Sequence, residues 1–75
     1  MEFFATIRKQ SKYYRHQQQL DSNDKAVPFR VTINFDSDPE WPVHGGFGGR
    51  YTLFDVELWV VSRGRLQRLP LHQRI

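Results

Sequence analysis

Apolar and polar residues alternate strictly over residues 28–36. Phe29, Val31, Ile33 and Phe35 fall on one side, and Arg30, Thr32, Asn34 and Asp36 on the other. A period of two places one row on a core and the other in water, the pattern of a half-buried strand. Residues 51–61 alternate as well, with Phe54, Val56, Leu58 and Val60 on one side and Asp55 and Glu57 on the other. The intervening residues 39–49 are dense in proline and glycine, which continue neither strand nor helix, so the chain reverses there. The pattern predicts two antiparallel strands joined by a long loop that carries Trp41 and Phe47.

The remaining elements are shorter. Residues 2–8 fit a strand with Phe3, Ala5 and Ile7 on one face and Phe4 on the other. Residues 9–20 fit either a helix with a thin stripe of Tyr13, Gln17 and Leu20, or an exposed ribbon displaying tyrosines and cations. Residues 21–25 form a polar turn, and Ser62-Arg63-Gly64-Arg65 is a second turn in which Gly64 suits a positive φ. Residues 66–71 return as a last short strand ended by Pro70. Four or five strands, many turns and at most one short helix predict an all-β fold, an OB-like or other small barrel of up to five strands with long loops. It forms a single domain over residues 1–71, followed by a flexible tail at 72–75.

On the second long strand, the face opposite the predicted core carries Tyr51, Leu53, Trp59 and Val61 besides the two acids. That face is too apolar for the surface of a lone small domain. Tyr51, Leu53, Trp59 and Val61 are therefore expected in an interface, and a homodimer is the expected assembly. Chain length points the same way: 75 residues bury roughly 60% of their unfolded surface, which leaves a marginal core. Without cysteine, no disulfide or thiolate metal site can staple it, whereas a shared core between two copies can. No apolar run approaches the ~20 residues that span a bilayer. The start lacks the basic region of a signal peptide, so a cytoplasmic protein with no membrane partner is expected.

Charge is unevenly placed. The net charge is +3, and residues 3–20 and 62–75 contain cations but no acid, while seven of the eight acids lie between Asp21 and Glu57. Two cationic ends suit a polyanion. Catalysis and small-molecule binding find little support. No Gly-x-Ser-x-Gly elbow is present, the histidines stand far apart, and no deep cleft is expected, so neither enzymatic activity nor a small-molecule substrate is predicted. Gly45-Gly46-Phe47-Gly48-Gly49 lacks the Gly-Lys-Ser/Thr ending and following helix of a phosphate loop. Asp36, Asp38, Glu40 and His44 lack the glycine turn and downstream glutamate of a calcium loop, and fit better as a polar turn. No cofactor or metal is expected.

Binding is what remains. In Arg8-Lys9-Gln10-Ser11-Lys12-Tyr13-Tyr14-Arg15, cations alternate with aromatics. Unpaired nucleotides present bare base faces beside a phosphate chain, so rings stack on the first and cations neutralise the second. An alternative use of the tyrosines is core packing, with the cations serving solubility.

The order of residues also resembles a family, the single-stranded DNA-binding proteins of filamentous phages of the gene V type. Gln10-Ser11-Lys12-Tyr13-Tyr14 followed by Gln19-Leu20 is similar to the family's Gln-x-Lys-x-Tyr and Gln-Leu. Residues 28–36, then Trp41-Pro42 and Gly49-Arg50-Tyr51-Thr52, resemble its Pro plus alternating strand, its aromatic loop and its Gly-x-Tyr-Thr strand. Gly64 and Arg68-Leu69-Pro70-Leu71 are similar to its closing hairpin. The resemblance covers roughly residues 9–71, and its weight lies in the order of individually weak motifs.

It implies an OB-type barrel, a two-fold dimer and a non-enzymatic protein that coats viral single strands during phage DNA replication in the host cytoplasm. It also implies repression of translation through messenger RNA. Tyr14 falls where the family stacks a base, Lys9 and Lys12 at basic positions of the same wing, and Arg63-Gly64 at the hairpin that joins subunits. This chain departs from the pattern in a shorter start, a longer loop at 37–49, and Arg63 in place of an aromatic at the hairpin tip. Together the two lines of reading nominate Arg8, Lys9, Lys12, Tyr13, Tyr14, Arg15, Arg30, Arg63, Arg65 and Arg68 as nucleic-acid contacts. The competing reading is a protein-binding module or host-protein inhibitor from a mobile element, anchored by Trp41, Phe47 and Trp59.

Overall fold

The computed structural model of the chain describes residues 2–45 and 48–69. Six strands and one helical turn follow in order: β1 (Phe3–Ile7), α1 (Tyr14–Gln17), β2 (Phe29–Ile33), β3 (Val43–Gly45), β4 (Arg50–Tyr51), β5 (Val56–Ser62) and β6 (Arg65–Arg68). They form one antiparallel sheet in the order β4-β3-β2-β1-β5-β6. The all-β class holds, with α1 its one short helix among the described residues. The sheet has six strands rather than five and is open, not a closed OB-like barrel. β4 and β6 form its edges.

The sheet is nevertheless curled. In a flat sheet, the four intervals from β4 to β5 at about 4.8 Å would measure about 19 Å. The five steps from Tyr51 to Val56 reach roughly 17 Å fully extended, and residues 53–55 are spent in a turn. The connection closes only if the β4 edge bends toward β5. The concave side then encloses the core of Ala5, Ile7, Val31, Val43, Tyr51, Val56 and Leu58. Phe3, Phe29, Ile33, Leu53, Leu69 and the two adjacent tyrosines Tyr13 and Tyr14 pack around it. The other face stays open to solvent.

Both long alternating stretches are cut short. β2 stops at Ile33, where Asn34 N–H donates to the Pro42 carbonyl (2.8 Å) and Asp38 N–H to the Asn34 carbonyl (3.1 Å). Phe35, expected in the core, is instead 54% exposed beyond that turn. Residues 51–61 are not one strand either. The Thr52 hydroxyl accepts from the N–H groups of Phe54 and Asp55 (both 3.2 Å) and donates to the Asp55 carboxylate (2.9 Å). This turn resets the alternation. Tyr51 therefore points into the core, Leu53 packs beside it, and Phe54, predicted to be buried, is 78% exposed. Tyr51 and Leu53 are thus core residues and not part of a second, interface face. Trp59 and Val61 do lie on the open face, opposite in parity to Val56 and Leu58.

Between β1 and β2 the chain makes a tight excursion around α1 and a turn at 21–25. Asp21 Oδ1 accepts from the N–H groups of Asn23 (2.8 Å) and Lys25 (3.0 Å), which lowers the carboxyl pKa. The excursion is pinned by Gln18, only 8% exposed. Its Oε1 accepts from Ile7 N–H (2.7 Å), and its Nε2 donates to the carbonyls of Gln19 (2.7 Å) and Val27 (3.0 Å).

The β5–β6 hairpin turns on Arg63 (φ 53) and Gly64 (φ 76), both left-handed as a two-residue type I′ loop requires. Glycine adopts that region freely and arginine does not. Arg63→Asn is expected to raise stability by about 0.5–1 kcal/mol, read as a higher urea midpoint at unchanged m. Among the described residues, no helix is long and apolar enough to cross a membrane. Leu71, Pro70 and the tail at 72–75 lie outside the described residues.

Candidate nucleic-acid interface

A groove of about 470 Å³ opens at the end of β1, between the strand, the start of the 9–13 segment and the 21–26 turn. Arg8, Lys9, Lys25 and Tyr14 line it, with Asp24 and Glu57. Each is there for a local reason. β1 stays paired to the last residue before the turn, since Arg8 N–H donates to the Asp55 carbonyl (2.8 Å), and this delivers Arg8 and Lys9 to the rim. Ser11 starts the helical turn: its hydroxyl accepts from Tyr13 N–H (3.1 Å) and its carbonyl from Tyr14 N–H (3.2 Å). Tyr14 then packs against the core and also lines the groove. Lys25 is held by the Asp21 turn. Arg8 makes an ion pair with Glu57 (3.2 Å), which also meets Arg68 (3.6 Å). One carboxylate thus serves two guanidinium groups, and the site keeps an excess of positive charge.

The ten nominated contacts separate into four places. Arg8, Lys9 and Tyr14 meet in the groove. Lys12, Tyr13 and Arg15 lie on or beside α1, with the Lys12 Nζ 5.2 Å from the Tyr13 ring centroid. Tyr13 is not held out as a free stacking platform: it meets Tyr51 edge-on at 5.5 Å and packs on the core. Arg30 and Arg68 project from the open face of the sheet, Arg30 near Glu2 (3.7 Å). Arg63 and Arg65 sit at the β5–β6 hairpin. Lys25 was not among the nominated residues. Its only sequence signal is a cation at the end of a polar turn between acids, which reads as solvent-facing.

The acidic cluster has a structural occupation. Asp38 Oδ1 accepts from Trp41 N–H (3.3 Å), and Oδ2 meets His44 Nε2 (3.2 Å) and Arg50 Nη1 (3.4 Å). Its carboxylate ties the loop to β3 and β4. The glycine stretch closes the β3–β4 hairpin, with Gly45 N–H donating to the Gly49 carbonyl (2.8 Å). A wider groove of about 680 Å³ runs over Phe29, Tyr51, Pro28 and Val27 on the concave side, and β2 borders it at Arg30. Of the proposed protein anchors, Trp41 is 42% exposed in its loop and Trp59 lies in β5, while Phe47 falls outside the described residues.

Comparison with protein-family models, with curated proteins and with solved structures finds no match for this chain.

Proposed function

We propose that the protein binds single-stranded DNA without acting on it chemically. The observation that supports this most directly is the groove at the end of β1, where Arg8, Lys9 and Lys25 converge beside Tyr14. Cations gathered along a trench suit a phosphate chain, and an aromatic ring beside them suits an adjacent base. The resemblance to phage proteins extends the reading to coating of viral strands. The groove supports the binding step.

The test is fluorescence anisotropy of an end-labelled oligo-dT titrated with the full chain over a series of NaCl concentrations. The three phosphates neutralised in this groove contribute about −2 to the slope of log K against log[salt], so raising NaCl from about 50 to about 200 mM weakens binding by at least about twenty-fold. Lys9→Ala and Lys25→Ala should each make the slope shallower by about 0.7. Both lysines are exposed, so these variants leave the core intact. Tyr14→Ala is the poorer probe, because the ring also packs on the core. Salt-insensitive binding, or none at low salt, would defeat the proposal.

A further inference from the structure

The strand register lines up four side chains in one row across the open face. Arg30 of β2 stands opposite Phe4 of β1, Phe4 opposite Trp59 of β5, and Trp59 opposite Arg68 of β6. The row reads cation, ring, ring, cation over four adjacent strands about 4.8 Å apart. Both rings are half-buried, and both guanidinium side chains are more than half exposed, Arg30 at 70% and Arg68 at 59%. The indole is fixed in place: Trp59 Nε1–H donates to Thr6 Oγ1 (3.1 Å) on the neighbouring strand. Thr6 points to the open face and is only 9% exposed beside the indole that bonds to it.

We propose that this row is a stacking platform for two successive unpaired bases of single-stranded DNA, with Arg30 and Arg68 taking the flanking phosphates. The proposal rests on the single-strand reading above and adds a base-binding surface to it. Rings on adjacent strands are farther apart than the ~3.4 Å rise between stacked nucleotides. Two bases seated on them part from one another, and each gains an aromatic partner that any base satisfies. The surrounding ion pairs do not stand in the way. Arg30–Glu2 (3.7 Å) and Arg68–Glu57 (3.6 Å) are surface pairs, and such pairs exchange for phosphate at little cost. The row is also continuous with the groove. Thr6, which accepts from the indole, and Glu57, paired with Arg68, both line the groove where Arg8, Lys9 and Lys25 lie. A strand crossing Trp59 passes directly onto those cations. A second copy of the chain fits the row less well. A two-fold axis through its centre would set Arg30 against another Arg30 or Arg68, placing like charges at both ends.

Trp41→Phe leaves Trp59 as the single tryptophan reporter. In that background, oligo-dT should quench Trp59 fluorescence saturably, and added NaCl should restore it. Trp59→Ala and Phe4→Ala should each weaken oligo-dT binding about 5- to 150-fold with the salt slope unchanged, and Trp59→Phe should recover most of the loss. Arg30→Ala and Arg68→Ala should instead each make the slope shallower by about 0.7. Because the ring variants touch half-buried positions, the exposed pair Arg30→Glu and Arg68→Glu provides a second test: together they should abolish binding at an unchanged urea midpoint. If oligo-dT binds tightly to Trp59→Ala and to the double charge reversal while Lys9→Ala impairs it, the platform is refuted and the groove reading survives. Absence of binding by the unaltered chain would refute both. A concentration-dependent dimer in sedimentation, dispersed by Trp59→Ala and unaffected by oligo-dT, would assign the row to self-association and refute the platform.

Discussion

Gln18→Ala should destabilise the protein by about 3 kcal/mol, a large share of the 5–15 kcal/mol typical of a whole domain. The residue looks like one of three interchangeable glutamines. In the structure, its amide is the shared partner of three backbone groups from three segments: Ile7 N–H, the Gln19 carbonyl and the Val27 carbonyl. Truncation removes the partner of a buried donor at the end of β1 and of the Val27 carbonyl, while the Gln19 carbonyl keeps the Val27 N–H (2.8 Å), and each orphan costs about 1–3 kcal/mol. Urea unfolding followed by circular dichroism measures it. A midpoint shift worth under about 0.5 kcal/mol would mean that water reaches these groups.

Gln18→Glu separates hydrogen bonding from shape. Its carboxylate would face the two carbonyls that now accept from Nε2, so the folded state holds the proton more tightly than the unfolded chain, and the folded pKa rises above the ordinary ~4.3. The folded state then binds more protons than the unfolded one, so stability falls as pH rises from the unfolded pKa through the folded one. Compared with the parent protein, the variant should be least impaired in acid and most impaired at neutral pH. Equal deficits at both ends of that window would contradict the assigned geometry.

Parity within an unbroken strand was legible in the sequence, and parity across a hidden turn was not. Phe3, Ala5 and Ile7 share a face as their alternation predicts, and so do Phe29, Val31 and Ile33. Residues 51–61 carry an equally regular alternation, yet Thr52 makes an ordinary side-chain hydrogen bond to backbone two and three residues on. A threonine also favours strands, so nothing in the local pattern announced the interruption. The error then moved Tyr51 from the core to the expected interface. The open sheet was out of reach for a related reason. Strand order depends on which distant edges meet, and β5 pairing with β1 is not encoded in either strand alone.

The candidate site shows the same division. The chemistry of residues 8–15 was readable as cations interleaved with rings. Which of those rings face solvent depends on a single helical turn that propensity left undecided, and the core claims most of both tyrosines. The row from Arg30 to Arg68 was invisible because its members lie on four strands. Arg30, Arg68 and Trp59 were each singled out, but for separate duties, and only the register sets them side by side.

Tyr51→Ala should cost about 3–5 kcal/mol, the largest single loss expected in this chain. The ring is 5% exposed and joins three parts of the concave side. It meets Tyr13 edge-on at 5.5 Å and Phe29 at 5.8 Å, and its hydroxyl donates to Gln17 Oε1 on α1. Removing it opens a cavity between the helical turn and the β4 edge, where little else packs. Tyr51→Phe isolates the hydroxyl and should cost only about 1 kcal/mol. Burial, reinforced by Tyr13, raises the phenol pKa above its usual value. Above the unfolded pKa near 10 the unfolded chain loses this proton first, so the parent protein loses stability as pH rises past it while Tyr51→Phe does not.

Gly49 supplies an internal control. A Cβ there would come within 2.6 Å of the Tyr51 hydroxyl oxygen, so Gly49→Ala should destabilise the parent by about 1–3 kcal/mol. The cost should shrink in a Tyr51→Phe background, where that oxygen is gone, giving a measurable coupling in a double-mutant cycle. Because Tyr51 lies on the concave side and the row from Arg30 to Arg68 on the open one, Tyr51→Phe should bind oligo-dT as the parent does. A loss of affinity with the fold intact would place the nucleic acid on the concave face, over the wider groove that Tyr51 and Phe29 line.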